Sequence, residues 1–267
     1  MDKTSTIELS TGNQMPVIGL GTWKLTSNTA EVIQKALEMG WPMIDTSGDY
    51  GTQPGIGEGI RKSRIDRRDI FICTKVEEDD NAYEATQQNL EELGIDYADL
   101  MLIHRPPEQG VGEKLWEDLI RAREDGLIKD IGVSNYSEGQ IQELIDLTDE
   151  APVVNQIEWT PFGHSDEMFA FCRERDIVIQ AYSPLTRAEL LADDKLEEIA
   201  SHYDKSPAQL LIRWNLQEGF VPLPKANQID HLEEDLDVFD FEISGEDIAQ
   251  LHSMNREYSA LGALPYV

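Results

Sequence analysis

The sequence predicts an α/β fold, a (β/α)8 barrel of the TIM type preceded by an N-terminal β-hairpin. Three observations lead there. Apolar runs of strand length alternate with longer segments of helical periodicity, a cadence that requires parallel strands joined by crossover helices. Eight such runs can be drawn, at residues 17–21, 43–46, 70–74, 99–103, 130–133, 153–157, 177–181 and 220–223, and eight parallel strands suffice to close a barrel. Barrels of about 250 residues form one domain, so residues 1–267 are expected to be a single domain.

Ahead of the first strand, Ile7-Glu8-Leu9 and Met15-Pro16-Val17-Ile18 flank the turn residues Thr11-Gly12-Asn13-Gln14, the pattern of a hairpin. Between Asn28 and Met39, the residues Val32, Ile33, Ala36, Leu37 and Met39 recur at helical spacing, and Gly40 follows as a C-cap. Gly55-Ile56-Gly57-Glu58-Gly59 lacks the spacing of a Gly-x-Gly-x-x-Gly phosphate loop and is expected to open another crossover helix. Leu115, Trp116, Leu119, Ile120 and Ala122 form a further helical stripe, ended at Gly126. Ser206-Pro207 puts proline at the first position of the helix carrying Leu210, Leu211 and Trp214. Trp116 and Trp214 are expected to pack these outer helices onto the barrel. Ser244 and Asp247 give the cap pattern of a last helix, running to Met254.

Composition narrows the function. The 52 acidic residues against 22 basic ones give a formal charge of -30, which makes nucleic acid and anionic membrane improbable partners. The acids are spread along the chain, as in Glu197-Glu198 and Glu233-Glu234-Asp235. At molar salt the Debye length falls to about 3 Å, so this surface reads as adaptation to a high-salt cytoplasm. No apolar run approaches the roughly 18 residues of a membrane span and no signal-like region follows Met1, so a cytoplasmic location is expected. Cys73 and Cys172 have no metal-ligand spacing, and the five histidines supply none, so no metal is expected.

Four polar residues used for proton transfer lie where strands should end. Asp45 closes Ile44-Asp45-Thr46 with Tyr50 five residues on, Lys75 closes Ile70 to Thr74, and His104 closes Leu100 to Ile103. On neighbouring parallel strands they would converge at the C-terminal rim, where barrel enzymes keep their chemistry.

These residues carry a resemblance to the aldo-keto reductase family, and it extends nearly end to end. The matching motifs are Gly19-Leu20-Gly21-Thr22-Trp23, Ile44-Asp45-Thr46 with Tyr50-Gly51, Thr74-Lys75, Leu102-Ile103-His104, Gly132-Val133-Ser134-Asn135, Asn155-Gln156-Ile157-Glu158, Ala181-Tyr182-Ser183-Pro184-Leu185 and Pro222-Leu223-Pro224-Lys225. The resemblance implies an NAD(P)H-dependent reductase of aldehydes and ketones, sugar-derived or dicarbonyl, with Tyr50 as proton donor. Lys75 would lower the Tyr50 pKa, Asp45 would hold Lys75 charged, and His104 would orient the carbonyl. A cofactor-binding sensor or accessory protein with little turnover is the alternative.

The resemblance also implies the binding residues. Tyr182 would stack on nicotinamide, Ser134, Asn135 and Gln156 would bind its carboxamide, and Ser183 and Leu185 would contact the pyrophosphate, with Gly21, Thr22 and Asp45 also lining the cofactor. Taken singly, Asn135 serves equally as a helix cap and Tyr182 as a packing aromatic. Lys225 is kept from the family's 2'-phosphate clamp, whereas Ala226, His231 and Asp235 replace its hydroxyl residue, arginine and asparagine; Asn227 and Glu234 flank them. NADPH is therefore expected, with NADH also used. Trp23, Tyr50, Glu77, His104 and Arg105 are the expected substrate contacts. Glu77 and Arg105 stand where many relatives have tryptophan, which implies a polar or anion-accepting pocket, and the brief loop from Arg105 to Gly112 implies an open one. The partner is a small carbonyl compound, and a monomer is expected.

Overall fold

The computed structural model describes residues 1–25 and 27–267. A hairpin of β1 (Thr6–Glu8) and β2 (Gln14–Pro16) comes first. The barrel units follow as β3 (Leu20–Gly21), α1 (Thr29–Met39), β4 (Met43–Asp45), α2 (Gln53–Ser63), β5 (Phe71–Val76), α3 (Ala82–Leu93), β6 (Ala98–Ile103) and α4 (Glu113–Glu124). The second half comprises β7 (Ile128–Ser134), α5 (Glu138–Thr148), β8 (Val154–Glu158), α6 (Asp166–Glu174), β9 (Val178–Tyr182), α7 (Asp194–Ser201), α8 (Pro207–Gln217), β10 (Val221–Leu223), α9 (Ile229–Leu236) and α10 (Gly245–His252).

Strands β3 to β10 form one eight-stranded sheet in chain order, and each paired neighbour is parallel. Its two ends meet where Gly19 N–H donates to Pro222 O at 3.1 Å and Gly21 N–H to Pro224 O at 2.8 Å. The first strand is shorter than the sequence suggests, because the hairpin pairing continues past Pro16, with Val17 N–H donating to Ser5 O at 3.2 Å. At this crowded edge a Cβ on Gly19 would lie 2.6 Å from Met43 Cε.

The hairpin plugs the bottom of the barrel. Leu9 and Met15 are buried against Met43, Phe71, Cys73, Leu100, Leu102 and Val154 from the strands. Its turn is pinned from outside, since Thr11 Oγ1 and Asn13 Nδ2 both donate to the Asp130 carboxylate. Outside the strands the helices bury a second layer that includes Trp116 and Trp214, neither of which reaches solvent.

Local signals act as the sequence suggests. Gly40 adopts φ 95° at the end of α1, a left-handed conformation that costs glycine little. Pro207 opens α8 behind a Ser206/Gln209 capping box, and Ser244 caps α10. The Gly55-Gly57-Gly59 run lies in α2 and serves packing: a Cβ at Gly57 would sit 2.2 Å from Leu93 O, and one at Gly59 2.8 Å from Ala30 O. Both cysteines are buried free thiols. Among the described residues, no helix is long and apolar enough to cross a membrane.

Candidate active site

The C-terminal ends of the strands open into a cleft of about 1360 Å³ that runs from Arg105 and Pro106 past Tyr50 and Tyr182 to Lys225, His231 and Asp235. At its floor, Lys75 is fully buried in β5 and reaches across to β4. Its ammonium donates to Asp45 Oδ1 and Oδ2, both at 3.0 Å, and to Thr46 O at 2.8 Å. Three acceptors for three N–H groups fix this lysine as a charged, oriented group. Burial opposes its charge, but Asp45 outweighs that penalty and holds the Lys75 pKa above its ordinary value.

Tyr50 ends a short 3-10 turn, Gly48–Tyr50, just beyond β4. Its ring lies 5.3 Å from Lys75 Nζ and edge-on to His104, with centroids 5.7 Å apart. The Lys75 charge pulls its pKa down, as the sequence leads one to expect, yet the net effect is opposite. Burial, joined by the Asp45 and Asp49 carboxylates, pushes the Tyr50 phenol up to about 12.

His104 follows β6. Its Nδ1 meets Glu77 Oε1 at 2.7 Å, and Asp49 Oδ1 lies 3.8 Å away. Ser47 Oγ donates to the same Glu77 oxygen at 3.0 Å. Burial works to raise the Glu77 carboxyl, but bonds from His104 and Ser47 and the Arg105 charge keep it below the ordinary carboxylate range. Glu77 thus stands behind His104 and is not part of the cleft wall, whereas Arg105 is. Arg105 approaches three carboxylates, Glu78 at 3.3 Å, Glu77 at 3.5 Å and Asp49 at 3.9 Å. These carboxylates balance its charge from the protein side, while the side chain stays half-exposed at the cleft. Asp49, Glu77 and His104 also bring ligand-type atoms within 4.8 Å of one another, but with the guanidinium against both carboxylates the cluster is an ion-pair network.

On the opposite wall, the polar side chains are already ordered by one another. Gln156 Nε2 donates to Asp45 Oδ2 at 2.8 Å and Gln180 Oε1 at 2.9 Å, so its own Oε1 is what remains for a ligand. Asn135 donates to His104 O and Ser134 Oγ, both at 3.1 Å, and accepts from Tyr182 OH at 2.7 Å. These donors are spent within the protein, which fits a preset surface for the flat face of a ring better than direct donation by Asn135. Ser134 Oγ donates to Gln156 O at 2.7 Å, and Thr22 Oγ1 to Asp45 O at 2.9 Å. Over this wall, Ser183, Thr186, Arg187 and Ala188 all carry positive φ between 48° and 68°, and Ser183 and Leu185 line the cleft.

At the far end Lys225, His231, Glu234 and Asp235 reach the cleft. Burial, then the neighbouring Lys24, lowers the Lys225 pKa. Burial, then Glu234, pushes Asp235 up to about 7. Two expected contacts are not brought there: Ala226 is buried in the core cluster that includes Trp41 and Leu232, and Asn227 is exposed outside the cleft walls. Trp23, 38 % exposed, stands at the cleft between Lys24 Nζ at 4.2 Å and Arg187 Cζ at 4.5 Å from its ring. The sequence reading missed Lys24, Arg187 and Asp49. Lys24 adjoins the Gly-Thr-Trp motif, and that nearness was the available signal.

A sequence model described as the Aldo/keto reductase family matches residues 17–256. An aldo-keto reductase of Mycolicibacterium vanbaalenii is 40% identical over 256 residues, covering 94% of this chain and 92% of its own. A protein named glyoxal reductase from Bacillus subtilis is 36% identical over 258 residues, covering 94% of this chain and 93% of its own. Among solved structures, an aldo/keto reductase from Brucella melitensis superposes with a TM-score of 0.88 at 36% identity, over 94% of this chain and 99% of that one. A Bombyx mori aldo-keto reductase in complex with NADP gives 0.90 at 29% identity, over 97% and 95%. With the match spanning the barrel and the cleft residues alike, the chain belongs to the aldo/keto reductase family of NAD(P)H-dependent oxidoreductases.

Proposed function

We propose that the protein reduces aldehydes and ketones to alcohols, with Tyr50 as the proton donor and the cofactor laid along the cleft. The observation that carries the reading is the meeting of Asp45, Tyr50, Lys75 and His104 on the floor of one cleft of dinucleotide size. The residues present suit such a ligand: a free Gln156 Oε1 for a carboxamide, the Tyr182 ring beside it, and Lys225 near the far end. Nicotinamide, when bound, supplies the hydride to the carbonyl carbon. Tyr50 supplies the proton to the oxygen, and its raised pKa keeps it a phenol, the donor form, at ordinary pH. The phenolate left behind is stabilised by the Lys75 ammonium, which Asp45 holds charged.

At the far end, Lys225 stands without the arginine and hydroxyl of a full phosphate clamp, and the His231 imidazole cannot offer the permanently charged, bidentate fork that an arginine presents to a phosphate. We infer that NADPH and NADH are both used, with a preference below about 100-fold, or ~2.7 kcal/mol. The name of the Bacillus subtilis relative favours dicarbonyl substrates, and the hemmed-in Arg105 favours neutral over anionic ones, sugar-derived carbonyls included. The acidic composition supports a monomeric enzyme of a high-salt cytoplasm, since its net charge opposes self-association in dilute buffer.

The test is single-turnover reduction of a carbonyl panel with either cofactor in concentrated potassium chloride. Tyr50→Phe should lose about 10²- to 10⁴-fold in hydride transfer while binding cofactor nearly as well. A variant within about threefold of wild type would remove Tyr50 from the mechanism.

A further inference from the structure

Glu77 lies two residues past Lys75 at the end of β5, and its carboxylate approaches His104 from the side away from the cleft. The 2.7 Å contact between Glu77 Oε1 and His104 Nδ1 is the length of a charge-assisted hydrogen bond. A carboxylate only accepts, so this bond keeps a proton on Nδ1 whether the ring is neutral or charged. Ser47 Oγ donates to the same oxygen and Arg105 faces the other, which holds Glu77 in its ionised, accepting form. The neutral ring therefore carries its lone pair on Nε2, the nitrogen left for the cleft that His104 lines. A carbonyl oxygen is also an acceptor only, so the two would repel. The ring can donate through Nε2 only as an imidazolium.

We propose that Glu77 is a positioning residue that fixes His104 in its Nδ1-protonated form, so that His104 donates to a carbonyl oxygen only when charged and accepts from an alcohol hydroxyl when neutral. The tautomer follows from the geometry alone; its effect on turnover rests on the carbonyl-reductase reading above. No covalent step is involved, and solvent supplies the proton on Nε2. The charged and titratable groups that face the ring are Glu77, Asp49 at 3.8 Å and Tyr50 edge-on. Behind them stand Arg105 and Glu78 and, beneath Tyr50, Lys75. Carbonyl reduction accordingly belongs to the acid side of the His104 titration and alcohol oxidation to the alkaline side.

Two measurements test this. In the unliganded protein labelled with 15N-histidine, the His104 signals are assigned by their loss in His104→Asn. On the alkaline side of its titration, His104 should show Nδ1–H and a bare Nε2. In Glu77→Gln, whose amide can donate to Nδ1, the Nε2–H form should appear. A neutral His104 carrying its proton on Nε2 in the wild type overturns the proposal, and this readout needs no substrate and no turnover. In steady state, wild-type kcat/KM for reduction should fall about tenfold per pH unit above the His104 pKa, and the Glu77→Gln profile should stay flat there. Parallel profiles in the two proteins also overturn it. Absence of carbonyl turnover altogether would strike the proposed function while the labelled spectra still decide the tautomer.

Discussion

Asp235 shows how a single buried charge adds a pH dependence to the whole chain. Its carboxyl is buried in α9, and burial with the neighbouring Glu234 pushes its pKa up to about 7 from an ordinary 3.8. A pKa raised on folding means that the native state holds the proton more tightly than the unfolded one. Its contribution is therefore fully present below about pH 4 and is lost as pH rises through about 7. At roughly 1.4 kcal/mol per pKa unit, Asp235→Asn should stabilise the protein by a few kcal/mol at about pH 8 and hardly at all at about pH 4. Urea titrations at both pH values check this, and equal gains at both would refute it. The same residue was legible as a member of the cofactor end from its offset to Lys225, but its burial was not. The case of Glu77 is similar: a polar residue past a strand end can face the mouth or the neighbouring loop, and only the His104 contact decides which. Asp45, Tyr50, Lys75 and His104 were legible because parallel strands in register leave their ends no freedom to diverge.

Among the elements, the glycines of α2 and α5 have opposite meanings. Gly57 lets α2 pass against the end of α3, where an added Cβ would be 2.2 Å from the Leu93 carbonyl oxygen, a backbone atom unable to yield. Gly57→Ala should destabilise by about 1–3 kcal/mol through overpacking. Gly139, near the start of α5, has nothing within 4 Å and no positive φ, so Gly139→Ala should gain about 0.5 kcal/mol from lost unfolded-state freedom. Thermal melts of the two variants should move in opposite directions, and a shared direction would show that α2 can slide away from α3. The βα order and the caps were readable because proline, glycine and serine act locally at helix ends. Strand limits were not, since where β3 begins depends on Val17 being claimed by the hairpin, a pairing between parts of the chain.

For the molecule as a whole, charge is the dominant feature. A formal -30 distributed over 267 residues repels itself in dilute buffer, and molar salt shortens that repulsion to about 3 Å. Exposed pairs such as Lys35–Glu38 and Lys62–Glu58 offset little of it, since surface pairs contribute about 0–1 kcal/mol each. The melting temperature should rise steadily in potassium chloride from about 0.1 to 3 M and activity should follow. A melting temperature indifferent to salt over that range would defeat the high-salt reading.

The joint between β3 and β10 is one-sided. Gly19 and Gly21 give their N–H groups to Pro222 and Pro224, and the two prolines have no N–H to return. The barrel thus carries a built-in clasp, fastened from one edge only, at the place where Gly21 and Thr22 stand on one side of the cleft and Lys225 on the other. A ligand long enough to touch both edges would act as a rivet, favouring the fastened state by mass action.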